Sequence, residues 1–526
     1  MPHFKPNFSK RFLTQFDWRG VGSSVRQLPL EDTAHGLTED GLLKSGRLAG
    51  LSMKHAIWVL SWPILIESFL NSFVGLTDTV LSAQLGVAQT DAVGSASYIV
   101  WFIGLIIMAI GVGTTALVSR SVGRGRLALA NAAVGQSLLL AGSIGSIVAV
   151  FIALAGPPMG KVLTQSETGA IAFASYLQIV AAGAPFMAIL AAGIASLRGA
   201  GDSIRPLWAM VIINVCNIVL SWTLCGEDLS RLTHVDGRLT KEIILHNPFT
   251  FDMGVSGIAL GTVIANAIGA TIVVLMLTKG VGGVRLLRRR LSPHWHTMLR
   301  LVRVGLPNFF ETLGMWVGNF IILLFVTQLS THDGMTGAHM LAIRIESFSF
   351  LPGFAMGMAA ATLAGQYLGA GSPSRAKRAV LTCAFIGATV MGLLGIAFLT
   401  IPDKLVALLS SQPEHLELVP HLLYMAGFVQ VPFAIAIITR GALRGAGDTK
   451  MVLVMTWCTT YLLRLPLAYI FSGVNLPLPG GGVFENPFVN HPSLSGLWFG
   501  LLTELVFRCC IFLVRFFQGG WTRNRV

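Results

Sequence analysis

The hexapeptide LRGAGD occurs twice in the chain, at Leu197–Asp202 and at Leu443–Asp448. The match extends outward from it. SLRGAGDS at 196–203 falls on ALRGAGDT at 442–449 without a gap, 246 residues further on. At the same offset, GVGTTALVSRSVGRG at 111–125 falls on GMAAATLAGQYLGAG at 357–371. WPILIE at 62–67 meets LPNFFE at 306–311 at an offset of 244, and SGIALG at 256–261 meets SGLWFG at 495–500. The protein is an internal duplication over most of its length.

Composition says what is duplicated. Of 526 residues, 53% are hydrophobic and only 12% charged, against about 25% charged in soluble globular domains. Mean hydropathy is +0.71. Continuous apolar runs lie at 57–81, 92–116, 133–155, 168–196, 206–226, 254–278, 302–328, 337–365, 378–400, 420–443, 451–472 and 494–517. Such runs suit spanning helices of about 20 residues, whereas strands of a transmembrane barrel are about ten residues of alternating pattern. The expected fold is an all-α integral membrane protein, with twelve spans in two six-helix bundles. An even number of spans returns the chain to the same side, so the halves point the same way about an axis along the membrane normal. Parallel repeats of this kind are a transporter architecture, with the substrate site near mid-membrane between the halves. The domain limits expected are a polar N-terminal segment at 1–54, bundles at 55–278 and 304–517, a basic linker at 279–303 and a tail at 518–526. The first 50 residues are polar, lack the apolar core of a signal peptide, and read as flexible or surface-lying.

Charge placement sets the expected orientation. The net charge is +13, and if the N-terminus is inside, 29 of the 37 Lys and Arg lie on that side. The opposite loops hold Lys161, Arg231, Arg238, Lys241 and Lys404, and Arg344, Arg464 and Arg508 lie within spans. Cations near helix ends gather on the cytoplasmic side, so both termini are expected there, and the basic charge is a topology signal rather than a nucleic-acid footprint. The six cysteines, in or at the edges of spans without ligand spacing, read as core thiols. No nucleotide-binding, zinc-protease or nucleophile-elbow motif occurs, so no enzyme chemistry is expected. Transport would run on an ion gradient or be passive.

Each LRGAGD sits at the inner end of the fourth span of its half. Gly199, Gly201, Gly445 and Gly447 allow a tight turn, Asp202 and Asp448 can cap the next helix, and Arg198 and Arg444 can reach carbonyls or headgroups. A structural turn is favoured over an active hinge. Ionisable groups inside spans are costly and face a bundle interior or a water path. Glu67 and Asp78 share a face of span 1, eleven residues apart, as a potential relay. Glu311 in span 7 repeats Glu67. Arg344 and Glu346 in span 8 face different sides, and Glu504 and Arg508 in span 12 are spaced for an intrahelical pair. Asn71, Asn217, Asn266 and Asn319 add polar groups. His339 is isolated and reads as a packing residue.

These stretches together resemble the multidrug and toxic compound extrusion (MATE) transporters over nearly all of 55–517. The resemblance is carried by SWPILIESFLNSFVGLTDTVLSAQLG, GVGTTALVSRSVGRG, LRGAGDSIRPLWAMVIINVCNIVL, GAHMLAIRIESFSFLPGFAMGMAAATLAGQYLGAG, LRGAGDTK and LLRLPLAYIF. It implies a V-shaped pair of bundles in a bacterial inner membrane. It also implies export of cationic or amphipathic compounds by a monomer, in exchange for protons or sodium and without a cofactor. The family's span 1 aspartate matches Asp78, its span 5 asparagine Asn217, its span 6 threonine Thr262 and its span 7 glutamate Glu311. Glu67 and Glu346 join the expected ion and substrate cavity, and sodium would sit at Asp78, Asn217 and Thr262. Ser221 stands where the family often has an acidic residue, and Phe433 where some members have an aspartate. With one carboxylate fewer for sodium, protons are the expected ion. A rival reading is a flippase for lipid-linked saccharides or peptidoglycan precursors, with a cationic cavity for pyrophosphate. The mid-span balance, four carboxylates plus Asp78 against three arginines, favours cationic substrates.

Overall fold

The computed structural model describes residues 35–163, 166–235, 238–249, 251–280, 282–329, 334–477, 483–489 and 491–524. Apolar runs without helix-breaking clusters become helices, with their ends fixed by local chemistry. α1 is Met53–Leu85, α2 Val87–Gly123, α3 Leu127–Leu163, α4 Glu167–Ala182, α5 Ala184–Gly199, α6 Ile204–Cys225 and α7 Gly254–Thr278. The second half holds α8 Trp295–Leu329, α9 Met335–Gly369, α10 Pro373–Thr400, the short α11 Pro402–Ala407, α12 Pro413–Gly445, α13 Thr449–Trp457, α14 Leu465–Ser472 and α15 Leu494–Gln518. Ser52, Ser166 and Ser493 cap α1, α4 and α15 by accepting from backbone N–H groups of His55, Gly169 and Gly496, as serine does at an N-cap.

Among the described residues, eleven helices are long and apolar enough to span a membrane, twelve with the bent pair α4–α5. The sequence reads span 4 as continuous; the chain bends there by 45°. Gly183 separates the two helices and Pro185 opens the second, where proline costs least. Span 11 is also interrupted. Its middle, Cys458–Arg464, is a π-helix between α13 and α14.

An antiparallel hairpin of β1 (Leu229–Val235) and β2 (Arg238–Leu245) joins α6 to α7. β3 (Leu476–Pro477) and β4 (Val483–Phe484) make a smaller one between α14 and α15. Both hairpins lie at the end of the bundles opposite LRGAGD. The Asn247 backbone N–H, and then His246, hold the Asp228 carboxyl at the base of the first hairpin below its ordinary range.

The repeat is visible in the contacts between bundles at the LRGAGD end. Gly123 lies against the backbone of Gln366, and Gly369 against the backbone of Arg120. These are the same contact taken twice, since Gly123 and Arg120 are the repeat counterparts of Gly369 and Gln366. A Cβ on either glycine would come within 2.3 Å of a carbonyl oxygen across the seam, so glycine is what permits the approach. Arg120 Nη1 donates to Ala446 O at 3.2 Å, and Gln366 Nε2 donates to Gly199 O at 2.9 Å. Each bundle thus reaches into the LRGAGD turn of the other.

Residues 35–50, read from the sequence as flexible or surface-lying, pack across this same end. Leu37, Leu43 and Leu48 are buried, because the two bundle ends leave an apolar seam that polar neighbours do not fill. The earlier part of the 1–54 segment lies outside the described residues. The thiols also depart in part from expectation. All six are free, but Cys458 and Cys510 are exposed on the bundle exterior, because a membrane span can turn apolar side chains outward at no cost.

Candidate functional site

A cavity of about 670 Å³ lies between the bundles, beyond the contacts that close the LRGAGD end. Met108, Met187, Met210 and Met358 line it with Trp101 and Phe354. Flexible thioethers adapt to varied apolar shapes, and few, placed polar groups in an apolar wall are the mark of a ligand pocket. The charged lining is Glu67 and Asp78 from α1, Arg198 from α5, and Arg440 and Arg444 from α12.

Asp78 is 6% exposed. Tyr176 Oη donates to its Oδ2 at 2.7 Å and Thr262 Oγ1 to its Oδ1 at 3.1 Å. Asn217 Nδ2 donates in turn to Thr262 Oγ1 at 2.8 Å and to Ser221 Oγ at 3.3 Å. Asn217 Oδ1 is buried without a partner. Four helices, α1, α4, α6 and α7, therefore converge on one carboxylate whose hydrogen-bond donors are all neutral. The expected set Asp78, Asn217 and Thr262 is brought together, and Tyr176 joins it. The sequence offered no signal for Tyr176, since a lone span tyrosine is indistinguishable from core.

Glu67 forms an ion pair with Arg198. Glu311 is fully buried; Arg444 Nη2 lies 2.8 Å from its Oε2, Arg440 Nη1 3.9 Å from its Oε1, and Thr456 Oγ1 donates to it at 2.9 Å. The LRGAGD arginines, expected to reach carbonyls or headgroups, are instead the partners of the duplicated glutamates. The one signal in the sequence that could have paired them is the recurrence of glutamate and arginine at matched positions in both halves. The relay expected between Glu67 and Asp78 resolves into two sites on one wall, an ion pair and a neutral hydrogen-bonded carboxylate.

The turns themselves are matched. Gly201 and Gly447 adopt φ of +93° and +85°, and Asp202 N and Asp448 N each donate to the leucine carbonyl five residues back at 2.9 Å. That is a helix C-cap built on a left-handed glycine. The aspartates diverge. Asp202 accepts from Arg205 N at 3.3 Å in a capping role. Asp448 instead accepts from Arg515 Nε at 2.9 Å and Asn524 Nδ2 at 2.7 Å.

Two expectations are corrected. Glu346 does not line the cavity. It lies about 12 Å along α9 from Phe354, the nearest cavity residue on that helix, within electrostatic reach of Arg464. Glu311 stands behind Arg440 and Arg444, which screen it from the space. The mid-span charge balance also changes. Arg344 is exposed. Glu504 pairs with Arg508 at 2.7 Å, as the spacing expected, and Arg508 also donates to Thr460. None of these residues lines the cavity. There, two carboxylates face three arginines, Arg198, Arg440 and Arg444, none of which entered that balance. His339 accepts from Trp498 Nε1 at 3.0 Å in the core, and Phe433 packs on Phe350 with ring centroids 5.9 Å apart. No group able to hold a metal through His, Cys, Asp and Glu occurs among the described residues.

Two parallel helical bundles around a mid-membrane cavity with buried ionisable groups define a multi-pass membrane transporter. The chain belongs to the MatE family, whose model matches residues 63–223 and 307–470, one match in each half. It is 24% identical over 475 residues to the probable multidrug resistance protein NorM of Thermotoga maritima, covering 89% of this chain and 93% of that one. It is 22% identical to the uncharacterized transporter YisQ of Bacillus subtilis, over 85% and 91% of the two chains. In three dimensions it resembles an outward-facing MATE family transporter of the MOP superfamily, at a TM-score of 0.77 and 20% identity, over 90% and 97% of the chains. A MOP superfamily transporter from Pyrococcus furiosus, described by the reverse polarity of its binding pocket, matches at a TM-score of 0.76 and 20% identity, over 90% and 97%.

Proposed function

We propose that this protein is a secondary active efflux transporter that exports cationic or amphipathic small molecules in exchange for protons. Asp78 carries the reading. It is a buried carboxylate on a cavity wall, held by neutral donors alone, so an arriving proton or substrate cation is what balances its charge. Protonation would leave the Tyr176 and Thr262 hydroxyls in place and release a cationic substrate. Sodium is the second ion to consider. Asp78, Thr262 and the unpartnered Asn217 Oδ1 supply oxygen donors, but Ser221 adds no charge, and a site with one carboxylate is weak for sodium.

In this reading the LRGAGD face, both termini, the linker at 279–303 and the tail at 518–526 are cytoplasmic, in a bacterial inner membrane. The bundles at 55–278 and 304–517 rock about the cavity, the LRGAGD contacts closing its cytoplasmic side, and a monomer suffices. The names of the relatives, multidrug resistance proteins, support this substrate class. The arginines in the cavity are the observation that favours the flippase alternative, but two of the three are neutralised by glutamates. Purified protein in liposomes, with proton and sodium gradients imposed separately, tests the proposal. Substrate flux driven by the proton gradient and lost in Asp78→Asn is expected. Flux indifferent to both gradients would overturn it, and flip of a fluorescent anionic lipid in its place would establish the alternative.

A further inference from the structure

The two bundles are not equivalent around the cavity. The repeat counterparts of Asp78, Tyr176 and Thr262 are Ile322, Leu422 and Leu501, and all three belong to one hydrophobic core cluster. The second bundle fills with packed side chains the place where the first holds its carboxylate. Conversely, Arg440 has Ile194 as its counterpart. Both line the cavity, so only the second bundle presents this guanidinium.

Pairing shows which charges are spare. Arg198 is neutralised by Glu67 and Arg444 by Glu311. Arg440 approaches Glu311 no closer than 3.9 Å, and its other contact is a donation from Nη1 to Met315 Sδ at 3.1 Å, a weak acceptor. Arginine does not lose its proton in proteins, and a guanidinium in a low-dielectric wall gains most from a charged, bidentate partner. The cavity therefore carries one anion without a cationic partner, Asp78, on the first bundle, while on the second Glu311 is shared by two guanidiniums and leaves one net positive charge, presented by Arg440.

We propose that the cavity selects zwitterionic amphiphiles, the cationic group facing Asp78 and an anionic group, such as a carboxylate, docking on Arg440. This rests on the export reading and narrows it. A purely cationic substrate would meet Arg440 as a like charge, while a zwitterion complements both walls.

The test uses the whole protein and two dyes that differ by one ester. Rhodamine 110 carries a free carboxylate, and rhodamine 123 is its methyl ester. Wild type is expected to bind and transport both, with rhodamine 110 the tighter. Arg440→Gln should lower the ratio of their affinities by about tenfold, as loss of one charge-assisted contact does, and Arg440→Lys should retain most of it. Glu311 keeps Arg444 and Thr456 in the variant, so folding is not at stake. A wild-type protein without the preference, or a preference that survives Arg440→Gln, overturns the proposal. Displacement of rhodamine 110 by dihexanoyl phosphatidylglycerol would assign Arg440 to a lipid headgroup instead and also overturn it. If wild type moves neither dye, the export reading itself fails.

A second inference stands on different residues. Residues 35–50 bind both bundles at the LRGAGD end. Gly36 N donates to Ala370 O at 3.3 Å and Arg375 Nη2 to Asp40 O at 3.3 Å in the second bundle. Arg47 N donates to Ala200 O at 3.3 Å and Ser45 Oγ to Val122 O at 2.5 Å in the first. Leu48 lies against Gly201 of the first LRGAGD turn. We infer that this segment is a latch, which must leave one bundle before the ends can part. In a protein freed of native thiols, Leu43→Asp should widen the distance distribution between spin labels at Gly125 and Ser374, both exposed, and Leu43→Ala should widen it less. Label distances unchanged from wild type in both variants overturn the latch.

Discussion

Arg444 lies 2.8 Å from Glu311, and this pair is the second-bundle copy of Arg198 and Glu67, which also form an ion pair. The duplication has therefore preserved an interaction as well as a shape. Each pair ties the last turn of its bundle's LRGAGD-bearing helix, α5 or α12, to the first helix of that bundle, α1 or α8, at the cavity floor.

Breaking one such pair should destabilise more than removing both partners. Glu311→Gln leaves Arg444 and Arg440 facing each other in a dry wall, a loss of about 3–5 kcal/mol when a buried charge loses its partner. The double variant Glu311→Gln with Arg444→Gln should recover much of that. Thermal unfolding in detergent reads both. A single variant as stable as wild type, with transport lost, would make Glu311 a coupling residue and not a structural one.

Asp78→Asn should express normally and lose gradient-driven efflux, because an amide neither takes up nor releases the exchanged proton. Tyr176→Phe removes one donor to the carboxylate and keeps the other, so it should retain transport with a shifted pH profile. Donors to a charged carboxylate favour its ionised form; without Tyr176 the proton is held more tightly, and the profile should move to higher pH. Liposome flux between pH 5 and 9 checks this. Full efflux by Asp78→Asn would remove Asp78 from the mechanism.

Gly201 and Gly447 hold positive φ at matched turns. Valine at either position should cost about 1–3 kcal/mol of strain and slow exchange without altering which compounds are recognised, since neither residue lines the cavity. At Gly201 the new side chain would also displace Leu48, so its variant should be the worse of the two. A changed substrate profile with unchanged rate would place these loops on the pathway.

Membrane sidedness follows from cation placement. A single cysteine at Asn247, beside the β1–β2 hairpin, should react with an impermeant maleimide added to intact cells, and one at Gly125 only after the membrane is opened. The reverse pattern would invert the topology argued from charge.

The sequence by itself determined the class of fold. Long apolar runs leave a chain no soluble solution, and an even number of spans in each half makes the two bundles parallel. It also carried the signal for the turn at LRGAGD, a glycine just past the end of a helix. The pair Glu504 and Arg508 and the site residues Asp78, Asn217 and Thr262 were within its reach, the first by helical spacing and the others by likeness to a family. Tertiary structure decided which charges share a space. Arg198 and Arg444 sit at helix ends in the sequence and read as ligands of carbonyls or headgroups, yet their side chains, with that of Arg440, turn inward onto the cavity floor. Glu346 and Glu311 lie within spans, as Asp78 does, but only Asp78 meets the cavity. Burial in an apolar run shows that a charge needs a partner and does not name the partner, because that depends on which faces of distant helices pack together. The same holds for Leu37, Leu43 and Leu48, scattered in a polar segment and buried only because two bundle ends meet there.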